Sequence, residues 1–167
     1  QSGIVGGTAV NCGAGAAITN ASVEDAVGNF VIGVTIDTWS ATVTGGLQIG
    51  IPTETAGNLR DTFLCGVTLT NPGGGPAIRV VTSPQGNVRG LILSQITIDG
   101  AGTQGILLLS NVQDVSINGG TLRARESVIQ ISQACKNIII QGMHLYVGGG
   151  EFTRGISIGP SCDSILV

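Results

Sequence analysis

Residues 30–36, 63–69, 92–98, 116–122 and 139–145 share one pattern of apolar and polar positions. Their last residues, Ile36, Leu69, Ile98, Leu122 and Leu145, lie 33, 29, 24 and 23 residues apart. A second apolar series, Ala26, Leu59, Val88, Val112 and Cys135, runs ten residues upstream with the same spacings, and Cys162 extends it after 27 more. A further short block precedes each later repeat, at Ile78–Val80, 106–108, 129–131 and 156–158. Its outer residues alternate with one between them, the period-two signature of a strand. β-branched residues and the turn glycines Gly33, Gly66, Gly119 and Gly142 favour strands over helices.

Each repeat therefore reads as strand, turn, strand, turn, strand and variable loop. Such a coil cannot bury its apolar side alone and needs a neighbour stacked on it. The expected fold is all-β, a right-handed single-stranded parallel β-helix (β-solenoid) of about five to six coils. Equivalent residues then form ladders with rungs about 4.8 Å apart. Three rows are expected to point inward: Ala26/Leu59/Val88/Val112/Cys135/Cys162, Val31/Leu64/Leu93/Ile117/Ile140/Val167 and Ile36/Leu69/Ile98/Leu122/Leu145. Residues 1–15 are glycine-rich and off-pattern, an N-terminal cap or a linker, and residues 16–167 form the β-helix domain. The register leaves the last coil half finished, so the solenoid is expected to continue past Val167 or to meet another chain there.

Composition narrows the picture. The chain has 167 residues, of which 42% are hydrophobic, only 10% charged and only 3% aromatic, a composition unlike that of disordered chains. A narrow core of stacked aliphatic side chains accounts for the few aromatics. Glycine is abundant, at 28 residues, but without the three-residue period of collagen. The apolar runs are too short to span a bilayer. Seven scattered basic residues and a net charge of −3 argue against a nucleic-acid reader. The four cysteines lack CxxC spacing, which argues against a zinc site. Cys135 and Cys162, neighbours in an inward row, are expected to be two thiols.

The coil unit resembles the pectate-lyase-like superfamily of right-handed parallel β-helices, over roughly residues 17–167. That group holds polysaccharide lyases and hydrolases and the bodies of phage tailspikes. The segment Ile96-Thr-Ile-Asp-Gly-Ala-Gly102 is similar to a turn frequent in its polygalacturonase branch. The resemblance implies an extracellular or virion-associated protein facing a polysaccharide or cell-surface glycan, a homotrimer or packing against other chains, and no cofactor beyond calcium if the protein is a lyase. The hydrolase hallmarks (Asn-Thr-Asp, Asp-Asp, Gly-His-Gly, Arg-Ile-Lys) are missing from the sequence, and so is the acidic cluster that holds calcium in the lyases.

Candidate chemistry lies on the outward rows and loops. One row reads Thr35, Thr68, Thr97, Thr121, His144 and the adjoining one Asp37, Thr70, Asp99, Arg123, Tyr146. Asp99 is the candidate catalytic carboxylate. Alternatively it forms a cross-coil ion pair with Arg123. Arg123, His144 and Tyr146 are candidate substrate-binding residues, or ordinary members of a solvated face. Trp39 and Arg154, in the first and last long loops, are further candidate substrate-binding residues. Trp39 is either a stacking platform for a sugar ring or a plug for the end of the core or an interface. Two functions follow: a glycan-associated β-helix that binds or degrades polysaccharide, and a non-catalytic structural shaft.

Overall fold

The computed structural model describes residues 3–12, 16–18, 26–39, 46–50, 58–70, 74–82, 86–148 and 153–167. They form a parallel β-solenoid of about five turns, without helix among the described residues. Two sheets run along it, one of nine strands and one of six, and every pairing is parallel. The longest strands, Val88–Ala101, Val112–Ala124 and Lys136–Val147, lie side by side in the first sheet. The second sheet stacks Ala16–Ile18, Leu47–Ile49, Ile78–Val80, Gln104–Ser110, Ser127–Gln133 and Arg154–Ile158.

The inward rows fall where the alternation places them except at the last coil, where Val167 is 69% exposed. Val31, Leu64, Leu93, Ile117 and Ile140 are successive register partners, and each is at most 3% exposed. Ile36, Leu69, Ile98, Leu122 and Leu145 form a second row of register partners, buried except for the half-buried Leu145. Ile78, Ile106 and Ile129 back them from the other sheet, with no exposed surface. Each such aliphatic side chain contributes about 1.5–3 kcal/mol by leaving water.

The first-sheet strands bend where residues take left-handed backbone. One bend is a ladder of its own: Gly28, Asp61, Gly90, Asp114, Asn137 and Ser164 all have φ between 52° and 71°. The next is Gly33, Gly66, Gln95, Gly119 and Gly142, with φ between 53° and 63°. Glycine, Asn and Asp tolerate this region best, and a side chain such as that of Gln95 costs about 1–2 kcal/mol there. These bends divide the outer surface into separate narrow faces.

Gly3–Cys12, in the stretch expected to be a cap or linker, is a strand that pairs residue for residue with Phe30–Trp39. It brings Thr8 beside Thr35 and Ala9 beside Ile36. Among the described cysteines, Cys65, Cys135 and Cys162 are free thiols. The Cys135 thiol is buried and donates to the Leu109 carbonyl oxygen at 2.9 Å. Burial pushes its pKa up.

Candidate functional site

Beyond the second bend, alternate residues of each first-sheet strand face outward on either side of a buried Ile or Leu. Register pairing lines up Thr8, Thr35, Thr68, Thr97, Thr121 and His144 in one row. The neighbouring row holds Asp37, Thr70 and Asp99, then Arg123 and Tyr146. Within it Thr70 Oγ1 donates to Asp37 Oδ1 at 2.7 Å.

The register slips between Leu122 and Ala124, where Ile98 and Ala101 are the partners. Asp99 and Gly100 therefore oppose the single residue Arg123, and Gly100 takes φ 82°. Such a bulge re-aims side chains locally. Arg123 reaches back one rung to Asp99, with Nη1–Oδ1 at 3.3 Å. Its guanidinium carbon also lies 5.9 Å from the centre of the Tyr146 ring on the next rung, within cation–π range. Three of the candidate residues are thus joined across three coils, and His144 stands on the same strand as Tyr146 in the Thr row. All four are exposed, Tyr146 by 50%.

Arg154 is placed elsewhere. It opens the strand Arg154–Ile158 in the second sheet, opposite Ser127, and its Nη1 donates to Ser157 Oγ at 3.4 Å. Trp39 ends the strand Phe30–Trp39, and its side chain lies outside the described residues.

The assembled face offers a carboxylate acceptor, guanidinium donors, hydroxyls, an imidazole and an open phenol ring. Those groups suit a hydroxyl-rich ligand laid flat along the rungs. Hydrolysis of a glycosidic bond ordinarily uses two carboxyl groups flanking it, whereas the group facing Asp99 is a guanidinium. Among the described residues no group of three or more His, Cys, Asp or Glu side chains is placed to hold a metal ion.

Two further outward rows were legible in the sequence but not singled out from it. The position after the Leu59 row reads Arg60, Arg89, Gln113 and Lys136. Asn58, Arg60, Asn87, Arg89 and Gln113 line a polar hollow of about 90 Å³. Arg89 also pairs with Asp114 at 2.5 Å. Between the two bends an apolar row crosses the surface: Phe30, Phe63, Ile92, Ser116 and Ile139. Ile92 and Ile139 are 42% and 41% exposed. Phe30, Ile32 and Phe63 border a shallow hollow of about 360 Å³.

No protein-family model and no curated protein matches the chain. Among solved structures the chain is similar to QnrB1, a plasmid-mediated fluoroquinolone resistance protein, in a trypsin-treated form. The identity is 14%, with 95% of this chain and 73% of that chain covered and a TM-score of 0.20. A likeness of that size carries no argument about function.

Proposed function

We propose that this solenoid is a glycan-binding module whose ligand lies along the Asp99–Arg123–Tyr146 row with His144 at its side. The observation that carries the reading is the Arg123 guanidinium held between a carboxylate and an exposed aromatic ring on a rigid face. A pyranose stacks its apolar face on such a ring while charged neighbours take its hydroxyls. The resemblance of the coil unit to the pectate-lyase-like superfamily supports the same ligand class and an extracellular or virion-associated setting. The pairing of Asp99 with Arg123 favours binding over catalysis.

The test is a glycan array followed by calorimetry on its best ligand, with Arg123→Ala and Tyr146→Ala beside the wild type. Both variants are expected to lose about tenfold or more in affinity, the loss of one charged hydrogen bond or one stacking contact. Unchanged affinity in both removes the ligand from this face. New reducing ends or unsaturated uronates in the same mixtures overturn the non-catalytic reading.

The apolar row Phe30/Phe63/Ile92/Ile139 favours a second reading, a structural shaft that packs side by side with other copies. Sedimentation of the wild type against Ile92→Lys separates the two. An oligomer dispersed by the lysine supports the shaft, and a monomer in both counts against it.

A further inference from the structure

The outer side of the second sheet carries two polar groups that the fold leaves unsatisfied. Gln48 and Arg79 are register partners on the adjacent strands Leu47–Ile49 and Ile78–Val80. Leu47, Ile49, Ile78 and Val80 have no exposed surface, so alternation along each strand directs Gln48 and Arg79 to the same outer face, about 4.8 Å apart. Gln48 donates from Nε2 to the Gly50 carbonyl oxygen at 3.0 Å. Its Oε1 is buried and accepts nothing.

Arg79 is half-buried, and among the described residues its side chain has no hydrogen bond or ion pair. Burial alone pulls its pKa below the ordinary guanidinium value, with no charge or hydrogen bond acting against it. The next rung on the far side is the apolar Leu107, which offers no acceptor from its side chain. A partly desolvated cation and a buried orphan acceptor are each costly, and here they are neighbours. One ligand that brings an anionic acceptor and a hydroxyl donor relieves both.

We propose that Gln48 and Arg79 form a binding site for an oxyanion carried on a hydroxylated molecule. The guanidinium fork takes two oxygens of a carboxylate or sulfate group, the geometry for which arginine is suited. Gln48 Oε1 is closed to solvent in the free protein, so the amide turns outward on binding and then accepts a hydrogen bond from a hydroxyl of the carrier. The site lies on the second sheet and is independent of the Arg123 face, so either can fail without the other.

Thermal melting of the whole chain, at constant ionic strength set with chloride, tests it with four probes: inorganic sulfate, glucuronate, a sulfated glucose and glucose. A saturable rise in melting temperature is expected with the three anions, and none with glucose. The hydroxylated anions act at lower concentration than inorganic sulfate, and whichever of the two is stronger identifies a carboxylate or a sulfate ester. Arg79→Met weakens binding at least about tenfold. Arg79→Lys, which keeps the charge without the fork, weakens it severalfold and serves if the Met variant does not fold. Gln48→Met removes the advantage of the hydroxylated anions and leaves inorganic sulfate as it was. Without ligand, Arg79→Met is expected to melt above the wild type, an outcome that a guanidinium with a structural partner does not give. No saturable rise with any anion, or an equal rise in wild type and Arg79→Met, overturns the proposal.

Discussion

Asn137 donates its side-chain amide to Asp114 Oδ1 across 2.8 Å, from the adjacent rung of the same left-handed bend. Arg89 holds the other carboxylate oxygen from the coil before. The Asn137 bond first, and then Arg89, keep the Asp114 carboxyl below the usual carboxylate range, against a small opposing effect of burial. A carboxylate depressed in the folded state stabilises it above the unfolded pKa of about 3.9. That stability disappears as pH falls through the folded value. Because the Asp114 side chain keeps 32% of its surface in water and its partner Arg89 63%, screening keeps the effect modest. Asp114→Asn suits the same backbone, as Asn137 shows one rung away, and is expected to flatten the acid limb of the stability curve. Urea midpoints measured from about pH 6 down to pH 2 check this. Parallel curves for wild type and variant count against it.

Glycines at and beside the second bend make a graded prediction. A Cβ on Gly33 meets nothing within 4 Å, so Gly33→Ala carries only the left-handed backbone penalty, about 0.5–1.5 kcal/mol after the unfolded-state offset. A Cβ on Gly120 falls 2.1 Å from the Ile96 carbonyl oxygen, at φ 111°. Gly120→Ala is expected to cost at least about 3 kcal/mol. Gln95→Gly removes a penalised side chain from the ladder and gains up to about 1 kcal/mol. Denaturant midpoints rank the three. A destabilised Gln95→Gly means that the Gln95 amide, which lies over Gly119, matters more than its backbone.

Adjacent residues on one strand test the register. Leu93 is fully buried and Ile92 is 42% exposed. Leu93→Ala is expected to cost about 2–5 kcal/mol through lost burial and the cavity left behind, and Ile92→Ala less than about 1 kcal/mol. Equal costs are incompatible with the alternation.

The inward rows were legible because an inward position tolerates only an aliphatic residue at every rung, whatever the length of the intervening loop. Leu64, Leu93, Ile117 and Ile140 hold that constraint across coils of different length. Gly3–Cys12 was less legible. Its glycines, Gly6 at φ 65° and Gly7 at φ 125° among them, thin the alternation that Ile4 and Ala9 carry. Leu47–Ile49 carries the same apolar, polar, apolar triplet as its register partner Ile78–Val80, a signal that the spacing of the later blocks extends to it. The nearness of Asp99 and Arg123 followed from counting along the rows. The bulge at Gly100, which sets Arg123 between Asp99 and Tyr146, did not, because glycine marks bends and bulges alike. The unsatisfied state of Arg79 and Gln48 depends on how far the surrounding chain covers them, which no periodicity encodes.

The exposed chain Asp99–Arg123–Tyr146 separates a structural role from a binding one. Asp99 and Arg123 have side chains 65% and 57% open to solvent, so water screens their attraction. A double-mutant cycle on folding stability, with Asp99→Ala, Arg123→Ala and the pair, is expected to give a coupling of at most about 1 kcal/mol. The stack of Arg123 on Tyr146 adds about 0.5–1 kcal/mol at an exposed site. If the face is there to hold the coils together, those small terms are all that either variant loses. If it binds a glycan, Arg123→Ala leaves the urea midpoint nearly unchanged while affinity falls about tenfold, since a bound sugar shields the guanidinium from water and strengthens each contact. A coupling above about 2 kcal/mol with unchanged affinity assigns the residues to the fold. A small coupling with a large loss of affinity assigns them to the ligand.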